Sequence, residues 1–372
     1  MRILYVINGF DPGGAEHGLL TLIEGGFFDG HELAVLGFCH GRGRLAEDVA
    51  ASLPPGKLHL ASEQEELSLG AVFKGALALI KALRKDRPDL VVLSLKQANV
   101  VGRFVLVFFP GVRCVSFEHI SRYRARRAEA LYRYLLRLLS FRVDEVWADG
   151  NQTLIDTRRY FSRRRRREHV VPLFAVEPDC PAKTDYAAHR PLRLVAAGRL
   201  VPRKNFSLMI ETIAQLRDSL EVRLDVFGDG DVRVQLEGRI DRLDLKNAVR
   251  LHGYRARWYA QEIAVGGDIF VNLSDTEGFC IVVAEAMAIG LPVIATDVGG
   301  IRDYGRDGVN MIKLPAPDGK ALATAVQRLA QDEKLRRRLG KAARADMMAE
   351  YGTDGLRRRG REVLGSKVRE LA

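Results

Sequence analysis

Two glutamates eight positions apart open the chemical reading of this chain, in the stretch Glu277-Gly278-Phe279-Cys280-Ile281-Val282-Val283-Ala284-Glu285. The pattern there changes from strand to helix. Glu277 and Gly278 fall in the loop just before the helix, where free backbone N–H groups and the helix dipole favour phosphate. Glu285 falls four to six residues into the helix, roughly 6–9 Å along its axis, with its side chain tilted back towards the N-terminus. That is the reach from a diphosphate to a ribose. In isolation Glu277 reads as a capping carboxylate and Glu285 as a solvated one. The flanks Val282-Val283-Ala284 and Ala286-Met287-Ala288 argue otherwise, because a carboxylate without a partner is costly among apolar groups.

A second candidate is Gly198-Arg199-Leu200-Val201-Pro202-Arg203-Lys204-Asn205, between a strand and a helix. Arg199 can grip phosphate oxygens as a fork and Lys204 adds a compact charge, so the pair could neutralise a diphosphate leaving group. Seen alone, the loop is also an ordinary basic surface. In the first half, Asn8-Gly9-Phe10-Asp11-Pro12-Gly13-Gly14-Ala15-Glu16 lets backbone approach a ligand closely, or forms a plain tight turn. G-x-G-x-x-G is not found in that turn, and no phosphate loop of the G-x-x-x-x-G-K-[ST] type occurs anywhere. His119 follows an apolar strand ending at Phe117 and so belongs at that strand's carboxyl end. Asp229-Gly230-Asp231 has the D-x-D spacing of a divalent-metal site, but its place after a strand is explained by a turn opening the next helix, and no metal is expected.

The segment 121–140 reads as an amphipathic helix with Arg126, Arg133 and Arg137 on one face and Ala128, Leu131, Leu135 and Leu138 on the other. Core packing is the expectation for the apolar side. The arginines, with the run Arg163–Arg167, form a basic surface that would draw the chain to an anionic membrane, at about 1 kcal/mol per basic residue near the surface. The Arg run has no interleaved aromatics, which weakens a single-stranded nucleic-acid reading.

These groups need elements to hold them. The chain has 372 residues, 47% hydrophobic and 28% charged, a balance that suits two folded domains and excludes disordered, collagen-like and membrane-spanning classes. Net charge is +11, so phosphates, nucleic acid or anionic lipid are the expected partners. Cys39, Cys114, Cys180 and Cys280 form no C-x-x-C pair, which points to a reducing compartment. The apolar N-terminal run is too short for a signal core, and 104–109 is far short of a membrane span. Strands are predicted at 2–7, 32–38, 90–94, 112–117, 145–148 and 169–171, then at 192–197, 223–227, 249–251, 269–274 and 292–295. Helices fall between them, and prolines collect from 171 to 191 as a connector. The class is α/β, with ligands expected at the carboxyl ends of strands and in a cleft between two halves.

The ordered set G-G-A-E (13–16), E-H (118–119), G-R-L…K-N (198–205), G-D-G (228–230), H-G (252–253), E-G-F…E (277–285) and D-V-G-G (297–300) resembles the E-x7-E retaining glycosyltransferases, the group-1 family with the GT-B fold. The likeness covers essentially the whole chain. It implies two Rossmann-like domains with parallel sheets facing a central cleft, at 1–180 on the acceptor side and 190–355 for the nucleotide sugar, with 356–372 a helix crossing back to the first. It further implies that Arg199 and Lys204 hold the donor diphosphate, Glu285 the ribose, and Glu277 the donor sugar, with backbone N–H groups from Gly278, Phe279 and Cys280. Gly14 would approach the diphosphate, His119 would lie against the sugar, and Glu16 would face the acceptor with the basic helix. By the same likeness the donor is a UDP-sugar, no separate cofactor or metal is used, and the leaving phosphate helps deprotonate the acceptor with retention. The acceptor would be a glycan or lipid-linked, at the cytoplasmic membrane face, in surface polysaccharide, lipopolysaccharide or glycolipid synthesis. Two departures stand out: Pro172-Leu173-Phe174-Ala175-Val176-Glu177 replaces the family's P-N-G-V-D, and Asp231 follows G-D-G where proline is usual. A GT-B-fold nucleotide-sugar epimerase and, in another class, a basic nucleic-acid-binding protein are the alternative readings.

Overall fold

The computed structural model describes residues 1–11, 13–119, 127–158, 161, 166–255, 257–259, 263 and 266–365, and of 127–130 the backbone alone. The chain forms two units, Met1–Ala175 with Thr353–Ala372, and Val176–Gly352. The first holds strands β1 (Arg2–Ile7), β2 (Glu32–Gly37), β3 (Leu58–Leu60), β4 (Leu90–Ser94), β5 (Arg113–Glu118), β6 (Glu145–Ala148) and β7 (Arg167–Val170), with helices α1 (Gly14–Glu24), α2 (Leu45–Ala51), α3 (Leu69–Lys85), α4 (Lys96–Leu106), α5 (Arg127–Leu138) and α6 (Asn151–Thr157). The second holds β8 (Leu192–Ala197), β9 (Val222–Phe227), β10 (Val249–Gly253), β11 (Ile269–Asn272), β12 (Val293–Thr296) and β13 (Ile312–Leu314). Its helices are α7 (Phe206–Leu216), α8 (Arg233–Arg242), α9 (Ile281–Ala288), α10 (Ile301–Tyr304), α11 (Gly319–Gln331) and α12 (Glu333–Tyr351); α13 (Thr353–Gly365) follows.

Both sheets are parallel throughout, in the orders β3-β2-β1-β4-β5-β6-β7 and β10-β9-β8-β11-β12-β13. β4, β11 and β12 are buried along their whole length, because helices cover both faces of a parallel sheet and the sequence answers with unbroken apolar runs. In each sheet the strand order reverses once, between β1 and β4 and between β8 and β11. Such switch points splay the loops leaving the strands' carboxyl ends and open a crevice there, the usual ligand position in open α/β sheets.

Helix α13 belongs to the first unit. Leu356 is fully buried, a side chain at Gly25 would strike it, Gly360 lies against the Phe27 backbone, and Arg357 Nε donates to Asp29 Oδ2 at 2.9 Å. The chain leaves the first unit at Ala175 and returns at Thr353, a few residues ahead of the expected positions 180 and 355. Local bonding explains the exit: Val176 N donates to Tyr351 O at 2.8 Å and Tyr259 Oη to Glu177 Oε1 at 2.8 Å, which ties this segment to the second unit. The short strands β3 and β13, three residues each, are additions to the expected set.

Helix α5 departs from expectation in its orientation. Leu131 and Leu138, expected in the core, are exposed, while Leu136 and Leu139 are buried in their place. The anchor is Arg103 on α4, fully buried, whose guanidinium donates to the Leu136 carbonyl at 2.8 Å and to Asn99, Ser116 and Glu118 at 3.2, 2.5 and 3.3 Å. A buried charge needs these partners, and meeting them presents the Leu136 side of α5 inward. Arg126 and Arg163–Arg165 lie outside the described residues. Arg166 is committed to structure: it donates to Val143 O at 3.0 Å and Ser140 O at 2.7 Å.

Candidate functional site

The second unit's switch point brings together residues far apart in sequence. Gly198-Arg199-Leu200 leaves β8 and turns through a 3-10 segment, Pro202–Lys204, into α7. The loop from β11 carries Ser274 to Cys280 into α9. Across this junction Lys204 Nζ lies 2.5 Å from Glu277 Oε1, both side chains over nine-tenths buried, and Arg203 Nη1 lies 3.5 Å from Glu277 Oε2. Burial alone would raise the Glu277 pKa, but the close Lys204 charge, aided by that of Arg203, outweighs it and holds the carboxyl below its ordinary value. Glu277 is therefore an ionised carboxylate in a cationic pocket and not a helix cap. The α9 cap position is Cys280, held at φ 64° in the left-handed region that side chains other than glycine's visit at a cost.

Loop backbones pack against one another here. A side chain at Gly228 would run into the Gly198 carbonyl and one at Gly230 into that of Leu200, while Gly198 N donates to Phe227 O and Leu200 N to Asp229 O, each at 2.9 Å. The G-D-G loop thus serves as the floor under Gly198–Leu200, and Asp229 Oδ1 accepts from Gly230 N at 2.8 Å. Gly299 and Gly300 approach the backbone of Glu277–Phe279 in the same way, and Gly300 N donates to Gly278 O at 2.5 Å. Tyr304 Oη donates to the Phe279 and Cys280 carbonyls at 3.0 and 3.1 Å. These contacts fix the Gly278-Phe279-Cys280 turn at the start of α9. Arg199 is exposed at the mouth of the first loop.

Glu285 is the fifth residue of α9. Its Oε2 accepts from Trp258 Nε1 at 2.6 Å. Burial pushes its pKa up to about 8, opposed by the Trp258 hydrogen bond and reinforced by the Glu177 charge. Trp258 is packed beside Phe270 and Phe227, with ring centroids 5.0 and 6.3 Å away, and the stretch 257–259 is tied down by Arg257, which pairs with Glu177 and Asp179. Sequence reasoning missed Trp258, Arg203 and Tyr304. Only Arg203 had a local signal, inside the same loop as Lys204.

The first unit places its candidates at strand ends of its own switch region. Gly14 opens α1 after β1, and a side chain there would meet nothing within 4 Å. Glu16 lies in the first turn of α1, against Gly13. His119 follows β5, where its Nε2 is 2.8 Å from Ser94 Oγ and its ring 4.2 Å from that of Phe117. Burial pushes the imidazole pKa down to about 3, so it acts as a neutral hydrogen-bonding group, and its Nδ1 has no hydrogen-bond partner among the described residues. The preceding residue, Glu118, belongs to the Arg103 cluster, with Ser116 Oγ donating to Glu118 Oε1 at 2.6 Å. Arg133 and Arg137 lie on α5, half-buried and exposed respectively.

Residues 186–346 match the family model "Glycosyl transferases group 1". HepE of Anabaena, solved in complex with UDP, superposes with a TM-score of 0.80 over 99% of this chain and all of that one at 21% identity, which establishes the shared fold. The amylovoran biosynthesis glycosyltransferase AmsK of Erwinia amylovora is 31% identical over 189 residues, 49% of this chain and 46% of that protein. The chain spans only 30 to 53% of the length of the first curated relatives it matches. The alpha-D-kanosaminyltransferase of Streptomyces kanamyceticus is matched more fully, 31% identical over 314 residues, 76% of this chain and 80% of that protein. With a relative of that identity and coverage, and with the motif residues gathered at a switch point of the shared fold, the chain belongs to the group 1 glycosyltransferases.

Proposed function

We propose that this chain moves a sugar from a nucleotide-diphosphate sugar, with UDP as the nucleotide, to a glycan or lipid-linked acceptor at the inner membrane face, with retention and without a required metal. The observation that carries the reading is the Lys204–Glu277 pair at the start of α9, with Glu285 one helical turn further on. Arg199, Arg203 and Lys204 supply the positive charge a departing diphosphate needs, and the N–H groups of Gly278, Phe279 and Cys280 add donors at a helix N-terminus. Glu277, ionised and gripped by Lys204, accepts hydrogen bonds from the transferring sugar. Glu285 takes the ribose hydroxyls. Gly14 and the neutral His119 are the first unit's proposed donor contacts, and Glu16 belongs to its acceptor side. The UDP and UDP-glucose complexes of HepE support a uridine donor, and the lipopolysaccharide core biosynthesis glycosyltransferase LpsE of Rhizobium meliloti, 30% identical over 50% of this chain, supports a lipopolysaccharide setting. Arg133 and Arg137 would draw the first unit to anionic lipid, which suits a lipid-linked acceptor.

Calorimetric titration of UDP, GDP and ADP in the presence of EDTA tests this. Micromolar binding of UDP is expected; binding that demands a divalent metal, or none to any diphosphate in a folded sample, refutes it. Glu285→Ala should weaken UDP binding and Glu277→Ala should chiefly lower turnover.

A further inference from the structure

Helix α5 presents an apolar stripe to solvent. Leu131, Tyr134 and Leu138 follow one another at spacings of three and four, the repeat of a single helix face, and each is more than half exposed. Phe104 and Phe108 do the same at the C-terminal end of α4, with their rings in edge contact at 5.8 Å and Val107 exposed between them. The two helices are bound together by buried Arg103, next to Phe104 on α4, which donates to the Leu136 carbonyl of α5. The exposed residues therefore lie on, or just past the end of, two helices that pack against each other. At 100° per residue, Arg133 and Arg137 flank the α5 stripe along one edge and point neither into the core nor into the stripe. Soluble surfaces scatter large apolar groups singly; a cluster of this size bordered by cations marks a docking face.

We infer that this face of α4 and α5 inserts shallowly into an anionic lipid bilayer, with Phe104, Phe108, Leu131, Tyr134 and Leu138 entering the headgroup–acyl boundary and Arg133 and Arg137 remaining at the phosphates. Charge selects the bilayer over a second copy of the chain. At a net +11 two copies repel, and apposing this face to itself would bring the same arginine row close to its own image, whereas lipid phosphates meet it with opposite charge. Aromatic and tyrosyl side chains also suit a zone that is apolar on one side and wet on the other. The inference deepens the membrane-face reading above, which invoked arginine attraction alone. It does not depend on the donor chemistry.

The test uses the full chain and sedimentation with vesicles of phosphatidylcholine alone or mixed with phosphatidylglycerol, at roughly 0.1 M and roughly 1 M salt, where charge attraction is respectively present and screened. The parent should bind the anionic vesicles and retain part of that binding at high salt. Phe104→Ser/Phe108→Ser should lower the salt-resistant fraction at least about tenfold, since each ring withdrawn from water accounts for more than 1.4 kcal/mol. Arg133→Glu/Arg137→Glu should remove chiefly the low-salt component. Phe108→Trp should give emission that shifts to the blue on vesicle addition. Folding of each variant is checked by circular dichroism and by its thermal unfolding midpoint. Equal vesicle binding by parent and Phe variant overturns the inference. So does concentration-dependent dimerisation abolished by the same Phe variant without vesicle binding. Because vesicle binding is read without donor or acceptor, its failure leaves the glycosyltransferase reading standing, and failure of UDP titration leaves this one standing.

Discussion

Glu285 makes the stability of this protein fall with rising pH by an amount that can be worked out. Its carboxyl titrates near 4.5 in an unfolded chain and near 8 when folded, because burial disfavours the charged form more than the Trp258 N–H favours it. The folded state thus holds a proton that the unfolded state releases. The associated stability is complete below the unfolded value and is lost as pH rises through the folded one. Each pH unit within the window is about 1.4 kcal/mol, so between about pH 5.5 and 8.5 this single group removes about 3 kcal/mol. Glu285→Gln keeps the shape and cannot ionise. Urea unfolding of parent and variant across this range, followed by tryptophan emission and circular dichroism, cancels the other titrations in the difference. The parent should lose about 3 kcal/mol relative to the variant. A difference that stays within about 1 kcal/mol at all pH values means that Glu285 is solvated and ionised, and the burial argument for a ligand hydroxyl falls with it.

Other outcomes follow from the same geometry. Lys204→Ala strands the Glu277 carboxylate in a buried site and should cost about 3 kcal/mol of stability, with Lys204→Met/Glu277→Gln recovering most of it; no recovery would show that the pair is not the cause. Trp258→Phe removes the indole donor, so its effect on UDP affinity and that of Glu285→Gln should combine to less than their sum; strict additivity would sever the link between them. Gly14→Ala meets no neighbouring atom and should hold or raise stability by about 0.5 kcal/mol while lowering UDP affinity at least about tenfold; unchanged affinity would remove Gly14 from the donor contacts.

The architecture was written locally. Unbroken apolar runs such as 90–94 and 293–296, separated by helix-length segments, require a parallel sheet covered on both faces, and the eight-residue spacing of Glu277 and Glu285 across a strand-to-helix turn sets their distance along α9 without help from the rest of the chain. Other features depend on which strands lie side by side, which no local period encodes. Lys204 meets Glu277 because β8 and β11 are neighbours at a switch point, and this turns two separately assigned ligand groups into an ion pair that sets the charge state of one of them. The glycines of G-D-G and D-V-G-G, readable as turn residues, prove to be places where one loop backbone rests on another. Trp258 has no motif to announce it, since its role arises only when the chain after β10 folds over α9. The rotation of α5 is the clearest case. Its sequence has apolar residues enough for two faces, and the need of buried Arg103 for the Leu136 carbonyl, a contact across 33 residues, decides which face the core receives and which is left for solvent or lipid.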